Sequence, residues 1–266
     1  MPSKNTTKVR LPKGHGLRQL LANDPGQLLL YAVEHVQEQA HYRKVPRVVR
    51  RARRRSQRVG WVHVSDLLQP CDRVLAARLL GHKLPEERIS PRTRRIFDNG
   101  HFMHMRWQNY FLSLPPAFEV DINVPLARWP IVGEADIIVR HKEFGRLVVE
   151  LKSMNGTRWK ALKVAEPDNV RQANTYVALA GADGSLVWYE SKDDQDCKIY
   201  HHESQPALFT PLLERVEGVL EMVLAARLPA PCGTCELDEY IGNLAWSDER
   251  VAALVVEREK WQSKSS

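Results

Sequence analysis

Apolar residues recur every three or four positions through DPGQLLLYAVEHVQEQA, with Leu29, Val33 and Val36 on one side. This pattern predicts a helix opened by Asp24 and Pro25. Beyond a run of arginines, WVHVSDLLQPCDRVLAARLLG predicts a second helix that Pro70 opens and Gly81 closes, leaving Cys71 in its first turn. SPRTRRIFDNGHFMHMRWQNYFL predicts a third, with Ser90 as N-cap, Pro91 at the first helical position, and Ile96, Met103, Trp107 and Phe111 down one side. From about residue 118 the period shortens to two. FEVDINV, PIVGEADIIVRH and RLVVELKS predict three strands, joined through turns at Asn123–Pro130 and Lys142–Gly145, so an antiparallel meander is expected. DNVRQANTYVALAG then predicts a helix capped by Asp168 and stopped by Gly181, and SLVWYES and CKIYHHE predict two more strands. LLERVEGVLEMVLAARLP reads as a helix with Leu213, Val216, Leu220 and Val223 on one face, ending at Pro229. PAPCGTCELDEY is a turn-rich knuckle, and SDERVAALVVEREKW closes the chain as a helix. Strands and helices so interleaved make an α/β chain.

At 266 residues and 43% hydrophobic, the chain can bury one sizeable core or two modest ones. The start, MPSKNTTKVR, has no apolar core of a signal peptide, and the apolar runs are too short for a membrane span, so a cytoplasmic protein with no membrane partner is expected. Four cysteines are too few for a disulfide framework and are expected as thiols or metal ligands. The net charge of +7 is unevenly placed: residues 1–60 hold 14 Lys and Arg against 3 Asp and Glu, and the remainder 25 against 29. Arg47, Arg50, Arg51, Arg53, Arg54, Arg55 and Arg58 crowd together with no carboxylate among them. Such a run repels itself unless a polyanion neutralises it, so a phosphate-contacting arm is favoured over a solvated basic face.

The chemistry-bearing residues fall in the strand region. Glu150 and Lys152 point to one face of their strand because side chains alternate. If the preceding hairpin pairs as expected, Asp136 joins them at the sheet edge. Two carboxylates there suit Mg²⁺ or Mn²⁺, which would activate water, while the lysine positions the nucleophile. Strand carboxylates and lysines are more often solvated or paired with each other, so the three alone decide little. Gly100 and His104 share a helix, where the glycine is expected to clear room beside an imidazole able to ligate metal. Gln172 and Tyr176, four apart, share another helix face just after the Glu-x-Lys strand.

Gly100 to His104, Gly133 to Asp136, Glu150 to Lys152 and Gln172 to Tyr176 thus read G-x-x-x-H, G-x-x-D, E-x-K and Q-x-x-x-Y in that order. The chain thereby resembles the PD-(D/E)XK nuclease superfamily, and more narrowly its RecB-like branch, which includes lambda-exonuclease-type proteins and the four-cysteine nucleases of CRISPR adaptation. HVSDLLQPCDR, NGHFMHMRWQ and VVELKSMNG also look like phage-encoded members. The resemblance implies a restriction-endonuclease-like core, a central mixed β-sheet flanked by helices, with helical additions at both ends. A basic helical arm would occupy 1–60, the nuclease domain with its cysteine knuckle 61–240, and a C-terminal helix 241–266. His104, Asp136, Glu150 and the carbonyl of Leu151 would bind the divalent metal, Lys152 would assist the attacking water, and Gln172 and Tyr176 would line the site. Glu134, on the same strand face as Asp136, is an additional ligand candidate, although a solvated carboxylate is the commoner case. Glu119 and Asp121 are expected at the surface.

In the four-cysteine nucleases, one cysteine before the histidine helix and three after the Q-x-x-x-Y helix hold a [4Fe-4S] cluster. Cys71, Cys232 and Cys235 fit three of those places, and C-x-x-C in a Pro/Gly turn suits iron–sulfur or zinc. No cysteine follows Cys235, so either Cys197, His201 or His202 supplies the fourth ligand or the knuckle is metal-free. The expected function is a metal-dependent deoxyribonuclease, an exonuclease of recombination, repair or end processing, working on DNA as a homo-oligomer or with a recombination or replication protein. The alternative is a nuclease-fold DNA-binding or assembly subunit with little activity of its own, which the intact Asp136, Glu150 and Lys152 argue against.

Overall fold

The computed structural model describes residues 24–39, 59–85, 89–235, 237, 240–241 and 248–265. The arginine run Arg47–Arg58 lies outside the described residues. In chain order the elements are α1 (Pro25–Gln39), β1 (Val62–His63), α2 (Val64–Leu67), α3 (Asp72–Leu79), α4 (Pro91–Leu112), β2 (Glu119–Arg128), β3 (Ile131–His141) and β4 (Gly145–Met154). They continue with α5 (Gly156–Ala161), α6 (Pro167–Ala180), β5 (Gly184–Ser191), β6 (Cys197–Glu203), α7 (Pro206–Leu224) and α8 (Asp248–Ser265). The result is a central mixed sheet flanked by helices, with helices added before and after it.

The alternating stretches β2, β3 and β4 form the expected antiparallel meander. After β4 the chain crosses through α6 and returns as β5, parallel to β4, and β6 turns back antiparallel. β5 is buried along its whole length, as a strand covered on both faces must be. On one face of the sheet, Met103, Trp107 and Phe111 of α4 pack on Ile137, Val139, Val149, Leu151 and Trp188. On the other, Tyr176, Val177, Val216, Leu220 and Val223 pack on Ile131, Ala135, Ile138 and Val148. Among the described residues no helix is long and apolar enough to cross a membrane.

Ile131, Ala135, Ile137 and Val139 are all odd-numbered, yet the first pair faces the α6–α7 core and the second the α4 core. The period of two therefore breaks between Ala135 and Ile137. Its partner strand breaks at the same level, with Val120 and Ile122 on the α4 side and Val124 and Leu126 on the other. Asn123, which the register sets opposite Asp136, has φ 49, a left-handed conformation that asparagine tolerates better than most residues. The turn expected over Asn123–Pro130 is thus corrected. Asn123 marks a switch of faces inside a continuous strand, and the hairpin turn shrinks to Trp129–Pro130.

Other boundaries move for local reasons. Cys71 is the N-cap of α3 and does not lie inside its first turn. At the other end, Gly81 at φ 69 donates to Arg78 and His82 to Ala77, the paired bonds that close a helix on a left-handed glycine. α6 begins with Glu166 as N-cap and Pro167 in the first turn, so Asp168 lies inside the helix and does not cap it. Ile96 is 41% exposed, because α4 meets the sheet only from Gly100 onward. In α7, Phe209, Leu212 and Val219 are buried with Val216, Leu220 and Val223, while Leu213 is only partly covered. The helix α5 and the short β1 had no periodic signal, being too brief to show one.

Candidate active site

The ladder between β3 and β4 ends at the Ile137–Val149 pair, so Asp136 and Glu150 are the first residues past the point where the strands part. β1 fills the space beyond, pairing with Ile131 and Val132 of β3. Asp136 spans the fork: its Oδ2 accepts the Leu151 N–H at 3.0 Å, standing in for the next rung. Its Oδ1 lies 3.0 Å from His104 Nδ1 on α4. The face switch would leave the Asp136 carbonyl without a regular partner, and Gln108, 2% exposed, donates to it at 3.2 Å and to Asn123 Oδ1 at 2.9 Å. Gln108 and Asn123 position the aspartate, and sequence reasoning missed both roles. The only signal was an asparagine inside an otherwise alternating strand.

Glu150 and Lys152 share the opposite face of β4, as alternation requires. Lys152 Nζ donates to Glu150 Oε1 at 2.7 Å and to Gln172 Oε1 on α6 at 3.0 Å. Tyr176, one turn further along α6, lies beside Gln172 and the main chain of Glu134. Gly133 makes this possible: a Cβ there would sit 2.6 Å from Tyr176 Cε1 and 2.8 Å from Val64 Cγ2. Gly133→Ala is therefore expected to cost about 1–3 kcal/mol through overpacking and to push Tyr176 off Gln172. Thermal unfolding checks it, and an unchanged melting temperature would show that the neighbours yield freely. Gly100 does not clear room beside the imidazole. A Cβ there would meet Ser153 Oγ at 3.5 Å, so the glycine marks where α4 crosses the end of β4. Glu134 is half-buried on the strand face of Asp136, and Glu119 and Asp121 are exposed.

Burial disfavours charge on His104, but the Asp136 carboxylate outweighs it and holds the imidazole pKa above 6.5. Burial likewise penalises Asp136, yet the same imidazole draws its pKa below 3.8. For Glu150, 3% exposed, burial dominates; Lys152 opposes and Asp136 reinforces the rise. Lys152 is raised because Glu150 overcomes its burial. The His104 contribution to stability is complete below pH 6.5 and lost as pH rises through the higher folded-state value. That of Asp136 is complete above pH 3.8 and lost as pH falls through its depressed value. Metal-free protein is therefore expected to lose melting temperature on going above about pH 6.5, and His104→Gln to flatten that loss. Equal slopes in the two proteins would place the pH dependence elsewhere.

No protein-family profile matches the chain, and no curated protein sequence does. Among solved structures, the chain is similar to SSO0001, with 16% identity and a TM-score of 0.44 over 81% of this chain and 96% of that one. It is also similar to LHK-Exo, an alkaline exonuclease from Laribacter hongkongensis, with 15% identity and a TM-score of 0.44 over 70% and 93% of the two chains. LHK-Exo in complex with dAMP matches at 15% identity and a TM-score of 0.43, over 64% and 91%.

The donor set at the fork comprises an imidazole, two carboxylates and a main-chain carbonyl, which suits a hard divalent cation. A cation would also relieve the cost of keeping Glu150 charged beside Asp136. Among the described residues, however, Cys71, Cys232 and Cys235 are the three whose ligand atoms all lie within 4.8 Å of one another. His104, Asp136 and Glu150 do not meet that spacing, and Glu150 is held by Lys152.

The cysteine group joins the start of α3 to the segment after α7, packed with Val74, Ala77, Leu84 and Ile241. Cys71 and Cys235 sulfurs are 3.4 Å apart, and burial pushes the Cys71 thiol up to about 12. A thiolate there needs a cation. Four sulfurs around a single zinc stand about 3.8 Å apart, given Zn–S of about 2.3 Å in a tetrahedron. A four-iron cluster instead assigns each thiolate its own iron at a separate corner and needs wider spacing. Cys197 is not the fourth member. It lies on β6, at the opposite edge of the sheet from β1, where His201 and His202 also sit. Topology, not sequence distance, separates them from the knuckle.

Beside the site, Glu190 at the end of β5 is 4% exposed and is held by Arg106 Nη2 at 2.5 and 2.6 Å and by Trp107 Nε1 at 2.6 Å. This half-buried pair ties α4 to the sheet directly after His104. No motif distinguishes Glu190 from a solvated strand carboxylate, so only packing identifies it.

Proposed function

We propose that the protein is a divalent-metal-dependent deoxyribonuclease of the PD-(D/E)XK superfamily, in its RecB-like branch, and that it acts as an exonuclease in recombination, repair or end processing. One observation carries this reading: at the fork between β3 and β4 two hydrogen-bonded groups meet through consecutive residues of β4, His104 with Asp136 on the Leu151 N–H and Glu150 with Lys152 and Gln172. His104, Asp136, Glu150 and the Leu151 carbonyl would hold Mg²⁺ or Mn²⁺, which when bound lowers the pKa of water and neutralises charge on the phosphate. Lys152, released from Glu150, would hydrogen-bond the attacking water while Gln172 keeps its ammonium in place. Attack forms a bond from the water oxygen to phosphorus and breaks the bond to the leaving oxygen, with one proton passing from the water to solvent and one from solvent to the leaving oxygen. The arginines from Arg47 to Arg58 would neutralise phosphates along the DNA. At the knuckle, Cys71, Cys232 and Cys235 would hold one zinc ion, with a fourth ligand outside these three.

End-labelled linear DNA and closed circular DNA, incubated with Mg²⁺ or Mn²⁺ and separately with EDTA, test the reading. Mononucleotide release from linear DNA only, abolished by EDTA, is expected. Binding without cleavage under every metal condition would favour a DNA-binding or assembly subunit instead.

A further inference from the structure

Helix α4 changes character at Gly100. From there to Leu112 it packs on the sheet, whereas Pro91 to Asn99 extends past the end of β4 with hardly a side chain covered. This projecting half holds Arg92, Arg94 and Arg95 against the single acid Asp98, and no ion pair among the described residues engages the three arginines. It also exposes Phe97 by 52%.

The helical period places Phe97 with the site. Phe97 precedes His104 by seven residues, so at about 100° per residue the two differ by only about 20° around the helix. They are separated by about 10 Å along it, roughly three stacked nucleotides at about 3.4 Å each. Gly100 lies between them along the axis, about 60° from Phe97 and about 40° from His104 around it, next to Ser153 and so one residue from Lys152, and its missing side chain leaves that flank of the strip open. Phe102, 63% exposed, is displaced by about 160° and points away from this strip.

We infer that Phe97 is a base-stacking platform for the strand being cut, engaging an unpaired base within about three nucleotides of the scissile phosphate, with Arg94 on the adjoining backbone. This rests on the nuclease reading above. A ring can stack on a base only where the base has left its duplex partner, so the strip selects single-stranded or frayed ends, independent of sequence.

Phe97→Ala, Phe97→Trp and, as a control, Phe102→Ala are compared with the unaltered protein on single-stranded and frayed-end DNA. Phe97→Ala is expected to raise KM about tenfold with kcat within about twofold, Phe97→Trp to restore KM, and Phe102→Ala to change neither. The exposure of both rings predicts unchanged melting temperatures. A 2-aminopurine placed within three nucleotides of the cleaved bond should be quenched by the unaltered protein and not by Phe97→Ala. Equal KM for Phe97→Ala and the unaltered protein, failure of tryptophan to restore it, or an equal effect from Phe102→Ala would overturn the inference. Absence of cleavage by the unaltered protein would instead overturn the nuclease reading, and this inference with it.

Discussion

Asp136→Asn is expected to lower DNA cleavage at least about 10³-fold, equivalent to about 4 kcal/mol of lost transition-state stabilisation, while the protein stays folded. The asparagine keeps an oxygen of the same reach for the Leu151 N–H, so the fork between β3 and β4 retains its bridge. What it loses is the charge that offsets the burial of His104 and that would bind a cation. His104 should then titrate lower, and Glu150 should ionise more readily with one less neighbouring anion. Asp136→Ala is a poorer probe, since it strands both the Leu151 N–H and the imidazole. Single-turnover cleavage in Mg²⁺ and Mn²⁺, with unfolding curves alongside, measures both halves. Full activity in the asparagine variant would end the assignment of this site.

The second large effect concerns the cysteine group. Protein purified without chelator is expected to contain about one zinc per chain and no acid-labile sulfide, and Cys232→Ser to lose that zinc. The group joins the start of α3 to the segment following α7, so the metal's binding energy becomes folding energy for two distant stretches. Losing it should cost at least about 2 kcal/mol, lowering the melting temperature by roughly 4–8 °C for a chain of this size. Cys197→Ser, on the far edge strand, should leave the zinc in place. Iron with stoichiometric sulfide would rule out the single-ion site, and neither metal would make the group a set of buried thiols.

Read by itself, the chain determined what local physics determines. Alternation placed β2 to β4 as a meander, the cap and proline signals placed the start of α4, and the period of two put Glu150 and Lys152 on one face. The four spaced motifs also named His104, Asp136, Lys152 and Gln172 before any contact was known; regular periods fix the sides of His104, Lys152 and Gln172, whereas Asp136 sits where the period of β3 breaks. Tertiary structure decided the rest. Whether β3 and β4 stay paired past Ile137 depends on Asn123, Gln108 and the insertion of β1, which are separate in sequence and meet only in the sheet. The same holds for Glu190, whose meaning comes from Arg106 and Trp107, and for Gly133, whose need comes from Tyr176 and Val64. Cys197 was a credible fourth ligand until the strand order set it at the opposite edge from Cys71. Periodicity reports which way a side chain points from its own element, but which element stands opposite is fixed by long-range packing that no local window contains.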